Sequence, residues 1–336
     1  MLRIHFTNDD LARTRIAGGP DPLWEILLSL HILQRDDRPD VFRQWRAKVR
    51  GQVGSDTALL YELAPPRGYS VDFLTPAGTA DLEAGIRTVL GTPRVRLRAE
   101  LATLTAGKRP TPWQRAVGEG RDDALRHLGR TLRDYHAVAV APFWPEIRRR
   151  VEADRAMRAH KLLDHGLGHL LGTLHPTARW DGAVLTLSYG QCDRDLRLEG
   201  RGLVLVPSFF CSGKPICLRD PGLAPVLVHP VRHERGWAAV ARRTPVQAPS
   251  ARPLASLMGR TRAAALEAIA AGCTTTELAR RLDISLAAAS EHATTLRAAG
   301  LIATLRRHRA AHHSLTAVGA QLLDQSLRGG AAGRVA

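Results

Sequence analysis

The feature that most constrains the fold is a pair of helix-start signals separated by a very short turn, near the end of the printed sequence. Thr274 stands three residues before Glu277, the spacing of a capping box, so a first helix is predicted to begin near Thr275. Asp283-Ile284 is too short for anything but a turn. Ser285 can then cap a second helix. The sequence therefore predicts two helices joined by a tight turn.

The second of these helices, residues 285–299, has one side suited to a core and one side without large groups. The positions that share the core side at helical spacing are Ala289, His292, Ala293 and Leu296. The opposite side carries the small and polar residues Ala287, Ala288, Glu291, Thr294 and Thr295. Upstream, apolar residues between Leu257 and Ala270 predict a helix that packs across the pair. Small residues on the free side suit close approach to a groove.

A basic hairpin is predicted directly after the second helix. Gly300 can leave the helix in the left-handed conformation of a C-terminal cap, and residues 301–305 then have strand character. A second strand is predicted over 312–315, and Thr316 can cap a closing helix. The turn between the strands holds Arg306, Arg307 and Arg309. These arginines are placed to meet phosphates or a minor groove.

Four runs carry a family resemblance: Thr275-Thr276-Glu277-Leu278-Ala279, Ser285, Ser290-Glu291-His292 and Leu296-Arg297-Ala298-Ala299-Gly300-Leu301. They resemble the DNA-binding domain of ArsR-type (ArsR/SmtB-like) winged helix-turn-helix transcriptional regulators. Further upstream, Trp180, residues 200–208 and residues 68–76 resemble an actinobacterial group of these regulators with a long N-terminal region. The resemblance implies a homodimeric repressor that binds a near-palindromic operator in double-stranded DNA.

From the helix pattern and the resemblance together, a set of DNA contacts is expected. Its members are Thr275, Thr276, Ser285, Ala287, Ala288, Ser290, Glu291, Thr294, Thr295, Arg297, Arg306, Arg307 and Arg309. Two features depart from the family. Residues 277–283 contain no cysteine, so metal sensing at that helix is not expected, and His308 stands in the wing turn where glycine is usual.

The overall charge agrees with a polyanionic partner. Lysines and arginines outnumber acids 48 to 32, which gives a net charge of +16 and favours nucleic acid through release of its counterions. The most apolar early run, Leu23 to Leu33, contains Glu25 and His31 and falls short of the roughly 20 residues that span a bilayer. The four cysteines show no Cys-x-x-Cys pair. We therefore expect a cytoplasmic protein that is not inserted in a membrane.

The predicted fold class is α+β. Residues 1–178 have mainly helical periodicity, with helices predicted over Pro22–Leu33, Asp40–Val53, Arg121–Tyr135 and Phe143–Leu174, the last broken near Gly166. Residues 179–245 contain short β-rich runs that predict a small sheet packed with that region. Residues 246–253 form a proline-rich linker, and 254–336 form the winged helix-turn-helix domain.

Three other groups of residues each have a functional and a purely structural interpretation. His165 and His169 are four residues apart and could share a metal from one helix face, but packing histidines are the commoner case, so no metal is expected. Cys211 and Cys217 flank a turn and could form a redox pair, although buried free cysteines are commoner. The six tryptophans lie outside the predicted DNA-binding segment and either pack a core or line a pocket for an unidentified small-molecule effector.

Two rival functions come from other classes. In one, the N-terminal region is an enzyme and the C-terminal domain tethers it to DNA, but no converging nucleophile, base or metal set is found. An enzyme and a cofactor are therefore not expected. In the other, the winged helix is a protein-interaction module. The arginines of the wing separate this from DNA binding, because they matter for DNA and give a steep dependence on salt.

Overall fold

A computed structural model of the chain describes residues 1–35, 40–78, 81–188, 193–233, 237–240, 252–270, 272–307, 310–316 and 318–323. The fold mixes α-helices with small β-sheets, which confirms the α+β class at that level. The chain divides into two compact units, Met1–Arg242 and Arg243–Ala336. Within the described ranges, no helix is both long enough and apolar enough to cross a bilayer.

Helices make up most of the first unit. They are α1 (Asn8–Arg13), α2 (Pro22–Leu33), α3 (Arg43–Arg50), α4 (Thr57–Leu63), α5 (Leu82–Leu90), α6 (Arg94–Leu104), α7 (Pro112–Gly118), α8 (Asp122–Ala139), α9 (Trp144–Gly172) and α10 (Trp237–Val240). The prediction for α2 is confirmed: Asp21 caps it by accepting from the amides of Leu23 and Trp24. The predicted break in α9 is also confirmed, because Gly166 has φ 78° and ψ 174° inside it.

The strands of the first unit form two four-stranded sheets. They are β1 (Leu2–His5), β2 (Arg15–Ile16), β3 (Ala178–Trp180), β4 (Val184–Leu187), β5 (Arg194–Arg197), β6 (Val204–Ser208), β7 (Ile216–Cys217) and β8 (Val226–Pro230). The first sheet has the order β3-β4-β1-β5, with β1 antiparallel to β4 and parallel to β5. The second has the order β2-β6-β8-β7, in which β2, β6 and β8 are parallel.

This arrangement corrects the prediction of one small sheet within residues 179–245. Each sheet takes a strand from the first 16 residues, β1 in one case and β2 in the other. The hydrogen bonds that define β1 and β2 come from partners far along the chain, so local periodicity carries little signal for them. The β-rich region is therefore completed by the N-terminal segment of the chain.

The second sheet separates two hydrophobic cores. Val206, Val226 and Val228 belong to the core that contains α2, α3 and α8, whereas Leu205 and Leu227 belong to the core around β1 and β4. Successive residues of a strand point to opposite faces, so the valines and leucines alternate between the two cores. Both faces of this mainly parallel sheet are consequently covered, as is usual for parallel strands.

The second unit contains four named helices and one small sheet. Its elements are α11 (Arg252–Met258), α12 (Arg260–Ile269), β9 (Cys273–Thr274), α13 (Thr275–Leu282), α14 (Leu286–Ala298), β10 (Ile302–Arg307) and β11 (Ala310–Leu315), and residues 318–323 are also helical. The sheet is antiparallel, in the order β10-β11-β9. Of the predicted linker, residues 246–251 lie outside the described residues, and Arg252 and Pro253 belong to α11.

Candidate nucleic-acid interface

Helix α13 begins and ends where its local chemistry requires. The Thr274 hydroxyl accepts from the Glu277 amide at 3.2 Å, and the Glu277 carboxylate accepts from the Thr274 amide at 2.8 Å, so the predicted capping box is present. Asp283 ends the helix in the left-handed conformation, with φ 53°. The Ile284 amide then donates to the Ala279 carbonyl at 3.0 Å. These contacts turn the chain sharply toward the next helix.

Helix α14 has one buried side and one exposed side. The Ser285 hydroxyl caps it as predicted, by accepting from the Ala288 amide at 3.1 Å. Ala289, Ala293 and Leu296 are buried against the core of the unit, to which Leu266 and Leu278 also belong. Because these apolar residues fix which side faces inward, the remaining side of α14 is presented to solvent.

The structure places most of the predicted contact residues on that solvent side. The exposed ones on α14 and its cap are Ser285, Ala287, Ser290, Glu291, Thr294, Thr295 and Arg297, and Ala288 is half-buried. Thr276 is exposed on α13. The Thr295 hydroxyl donates to the Glu291 carbonyl at 3.0 Å, which fixes its rotamer on the helix surface. The prediction that Arg306 and Arg307 lie in the turn is wrong: both belong to β10, because the strand pairing continues through Arg306 with Ala311 and Arg307 with Ala310. Arg309 lies outside the described residues.

Thr275 differs from the other predicted contacts because it is half-buried and belongs to an internal network. Its hydroxyl lies 2.9 Å from Nε2 of His313, and Nδ1 of the same ring lies 3.0 Å from the Thr304 hydroxyl. One imidazole thus joins α13, β10 and β11. His313 was not among the residues predicted from the sequence, although alternation along β11 from the apolar Leu315 would have placed it on the inner face.

The exit from α14 is fixed by a second network. Gly300 has φ 71°, the left-handed conformation predicted for it. The Thr316 hydroxyl donates to the Gly300 carbonyl at 2.7 Å and accepts from the Gly319 amide at 3.1 Å, so it caps the closing helix as predicted. Gly319 lies so close that an added Cβ would overlap the Leu301 carbonyl. The start of β10 is therefore held against residues 318–323.

The first prediction concerns His313 and pH. Burial lowers the pKa of His313, assisted by the charges of Arg297 and His312. A histidine whose folded-state pKa is depressed contributes stability that is present above the unfolded value and is lost as the pH falls below it. We therefore expect the second unit to lose stability as the pH falls from about 7.5 to about 5.

Amide hydrogen exchange of α13 and β11 measures this stability locally, which is useful because all six tryptophans lie in the first unit. In a His313→Gln variant, the side chain can still bond to a hydroxyl but does not titrate in this range. Its exchange rates, corrected for the intrinsic effect of pH, should change less over the same interval. An identical pH response in the two proteins would assign the effect to other groups.

The first unit contains a cavity of about 1080 Å³. Arg15, Val204 and Val226 contribute to it from β2, β6 and β8, and Trp24 and Trp144 line it from α2 and α9. Both the volume and the mainly apolar walls are typical of a small-molecule site. The sequence left two alternatives for the tryptophans, core packing or the wall of a pocket. Trp24 and Trp144 line this cavity.

Other tryptophans serve the core. Trp45 is fully buried and donates to the Ala139 carbonyl at 2.9 Å, and Trp237 is buried and donates to the Val41 carbonyl at 2.7 Å. Their ring nitrogens thus have partners, as buried indoles require. For these two residues the core alternative applies.

Two further pairs were candidates in the sequence, His165 with His169 for a metal and Cys211 with Cys217 for a redox pair. The rings of His165 and His169 lie side by side, 4.7 Å between centroids, and no group of three or more His, Cys, Asp or Glu in the described part of the chain could hold a metal ion. Cys211 and Cys217 do not form a disulfide with each other. Burial raises the pKa of Cys217 to about 12, so at neutral pH it is a thiol rather than the reactive thiolate.

No protein-family description, no curated protein and no solved structure matches this chain.

Proposed function

We propose that the second unit is a winged helix-turn-helix domain and that the chain is a sequence-specific, DNA-binding transcriptional regulator of the bacterial cytoplasm. The observation that carries the proposal is the exposed side of α14, which is followed directly by the β10–β11 hairpin. A helix with small and polar exposed residues can approach base edges in a major groove.

In this arrangement the roles of the residues differ. Thr294, Thr295 and Ser290 offer hydroxyls to base edges, whereas Ala287 and Ala288 allow close approach and can meet thymine methyl groups. Arg297 and the wing arginines bind phosphates, which positions the domain without reading sequence. Thr275 supports the domain through His313 rather than contacting DNA.

The assembly that follows is a homodimer on a near-palindromic operator. Two-fold symmetry would present two copies of α14 to half-sites separated by about 34 Å, one turn of the double helix. The family resemblance implies that this homodimer represses transcription. The cavity of the first unit that contains Trp24 and Trp144 is the place we propose for a small-molecule effector.

The second prediction tests sequence recognition. Fluorescence anisotropy of the full chain on DNA from upstream of its own gene, against scrambled competitor, measures specific binding. In Thr294→Ala/Thr295→Ala the preference for the upstream DNA should fall by about 10- to 100-fold, or about 1.4–2.7 kcal/mol in total, because a single hydroxyl contact contributes less than a bidentate pair. Residual binding should remain and should weaken steeply between about 50 and 200 mM salt.

A matched control exists at the C-terminal end of α5 and just after it. Thr88 is exposed and its hydroxyl donates to the Ala84 carbonyl, as Thr295 does to Glu291, and the Thr92 hydroxyl donates to the Thr88 carbonyl. Thr88→Ala/Thr92→Ala should therefore keep the preference. Equal, salt-sensitive binding of wild type to every DNA tested would contradict sequence-specific regulation at this promoter and would direct attention to a protein partner of the winged helix.

A further inference from the structure

A second cavity of the first unit, of about 540 Å³, is lined by an excess of cationic side chains. Arg158 and Lys161 reach it from α9, Arg179 from β3, and Arg232 from the segment that follows β8. Asp154 is the one carboxylate in its lining within the described residues. These cations come from three separated segments of the chain, so they are not simply the charged, solvent-exposed face of one helix.

Asp154 is already engaged by Arg158. Nε of Arg158 donates to the Asp154 carboxylate at 2.6 Å, and both side chains are about 95% buried, with 5% of each exposed. Nη2 of Arg158 also points to the Leu174 carbonyl, at 3.4 Å. A carboxylate paired in this way stabilises the position of Arg158 but offsets only one of the four positive charges.

Among the described residues, the other three cations have no carboxylate partner of this kind. In the part of the chain that the structure describes, Lys161, Arg179 and Arg232 form no ion pair within 4.0 Å, although Lys161 and Arg232 are attracted to Asp154 at longer range. Nη1 of Arg179 donates to the carbonyls of Pro176 and Ala178, at 3.2 and 2.9 Å. These bonds hold the guanidinium in place and leave Nε and Nη2 available to a ligand.

We propose that this cavity binds a small molecule that carries a phosphate group. Arginine presents parallel N–H donors whose spacing matches two phosphate oxygens, and Arg179 and Arg232 supply such donors. A dianion also relieves the mutual repulsion of cations held around one cavity. The volume is within the range of small-molecule sites, so an organic phosphate of modest size fits, whereas a duplex does not.

The third prediction tests this site without DNA, so that its outcome is independent of the function proposed for the second unit. Isothermal titration calorimetry of the full chain with inorganic phosphate, glycerol 3-phosphate and citrate, at constant ionic strength, measures the binding. We expect both phosphates to bind more tightly than citrate. Arg179→Gln/Arg232→Gln should weaken phosphate binding by at least about 10-fold, the loss of one charge-assisted pair.

The control removes two arginines that lie elsewhere. Arg126 and Arg130 are exposed on α8, so Arg126→Gln/Arg130→Gln makes the same change in net charge and should bind as wild type does. Circular dichroism establishes that both variants are folded, and the single variant Arg232→Gln replaces the double one if it is not. Absence of phosphate binding in wild type, equal loss in the control, or citrate binding as tightly as phosphate would each overturn the proposal.

Discussion

Ala287→Glu should weaken DNA binding by about 100-fold, or about 2.7 kcal/mol, and should do so for every DNA sequence. Ala287 is exposed in the first turn of α14, on the side proposed to enter the major groove. A carboxylate there would be desolvated close to phosphates of the same charge, and a like-charge contact in an interface costs several kcal/mol. Fluorescence anisotropy at a fixed salt concentration measures the loss.

The substitution is informative because it should leave the fold intact. Position 287 makes no contribution to the buried side of α14, which is formed by Ala289, Ala293 and Leu296. An acidic residue in the first turn of a helix also interacts favourably with the helix dipole. The stability of the second unit should therefore stay the same or rise slightly. A loss of DNA binding by this variant cannot then be assigned to unfolding.

The control is Ala270→Glu, which introduces the same charge at an exposed position just after α12. It changes the net charge equally, so it accounts for the general effect of charge on association. Its affinity for DNA should fall far less than that of the Ala287 variant. If both variants lost affinity equally, or if Ala287→Glu bound DNA as wild type does, α14 would not be the helix that enters the groove.

The sequence predicted the second unit better than the first for a physical reason. The ends of α13 and α14 depend on contacts within three residues, such as Thr274 with Glu277 and Ser285 with Ala288, and these can be seen in the sequence. Likewise, Gly300 needs only its own left-handed conformation. Local chemistry of this kind places an element regardless of what it packs against.

What the sequence did not predict depends on partners far along the chain. The register of β1 pairs Leu2 with Leu187 on one side and with Arg194 on the other, and no local pattern encodes either contact. Periodicity in the sequence gave the residues on the exposed side of α14, but it did not predict the contact of Thr275 on α13 with His313, which depends on β11. The cationic cavity likewise combines α9, β3 and residue 232.

Glu25 is the buried group of the first unit whose replacement is expected to have the largest effect on stability. It is fully buried on α2, where its carboxylate accepts from the Ser208 hydroxyl at 3.0 Å and from the amides of Phe209 and Phe210 at 2.8 and 2.9 Å. The carboxylate thus joins α2 to the chain as it leaves β6. In the sequence, Glu25 stands out only as an interruption in an apolar run.

Glu25→Gln should lower the free energy of unfolding of the first unit by about 2 kcal/mol, because an amide N–H would face a backbone N–H donor where a carboxyl oxygen of Glu25 now accepts. Urea denaturation followed by tryptophan fluorescence measures this unit, which holds all six tryptophans. The matched control is Glu119→Gln, an exposed position at which no significant change is expected. A variant at position 25 as stable as wild type near pH 5 would contradict the role assigned to the Glu25 carboxyl group, which is mainly protonated at that pH.

The same variant should change the dependence of stability on pH. Burial raises the pKa of Glu25 from 4.5 to about 7, against the opposing effect of its three hydrogen bonds. A group whose folded-state pKa is raised contributes stability that is fully present below the unfolded value and is lost as the pH rises through the folded value. Wild type should therefore lose stability relative to Glu25→Gln between pH 4.5 and about 7, so the difference between the two proteins narrows as the pH rises. A difference that widened instead would mean that the hydrogen bonds from Ser208, Phe209 and Phe210 outweigh desolvation of the carboxylate.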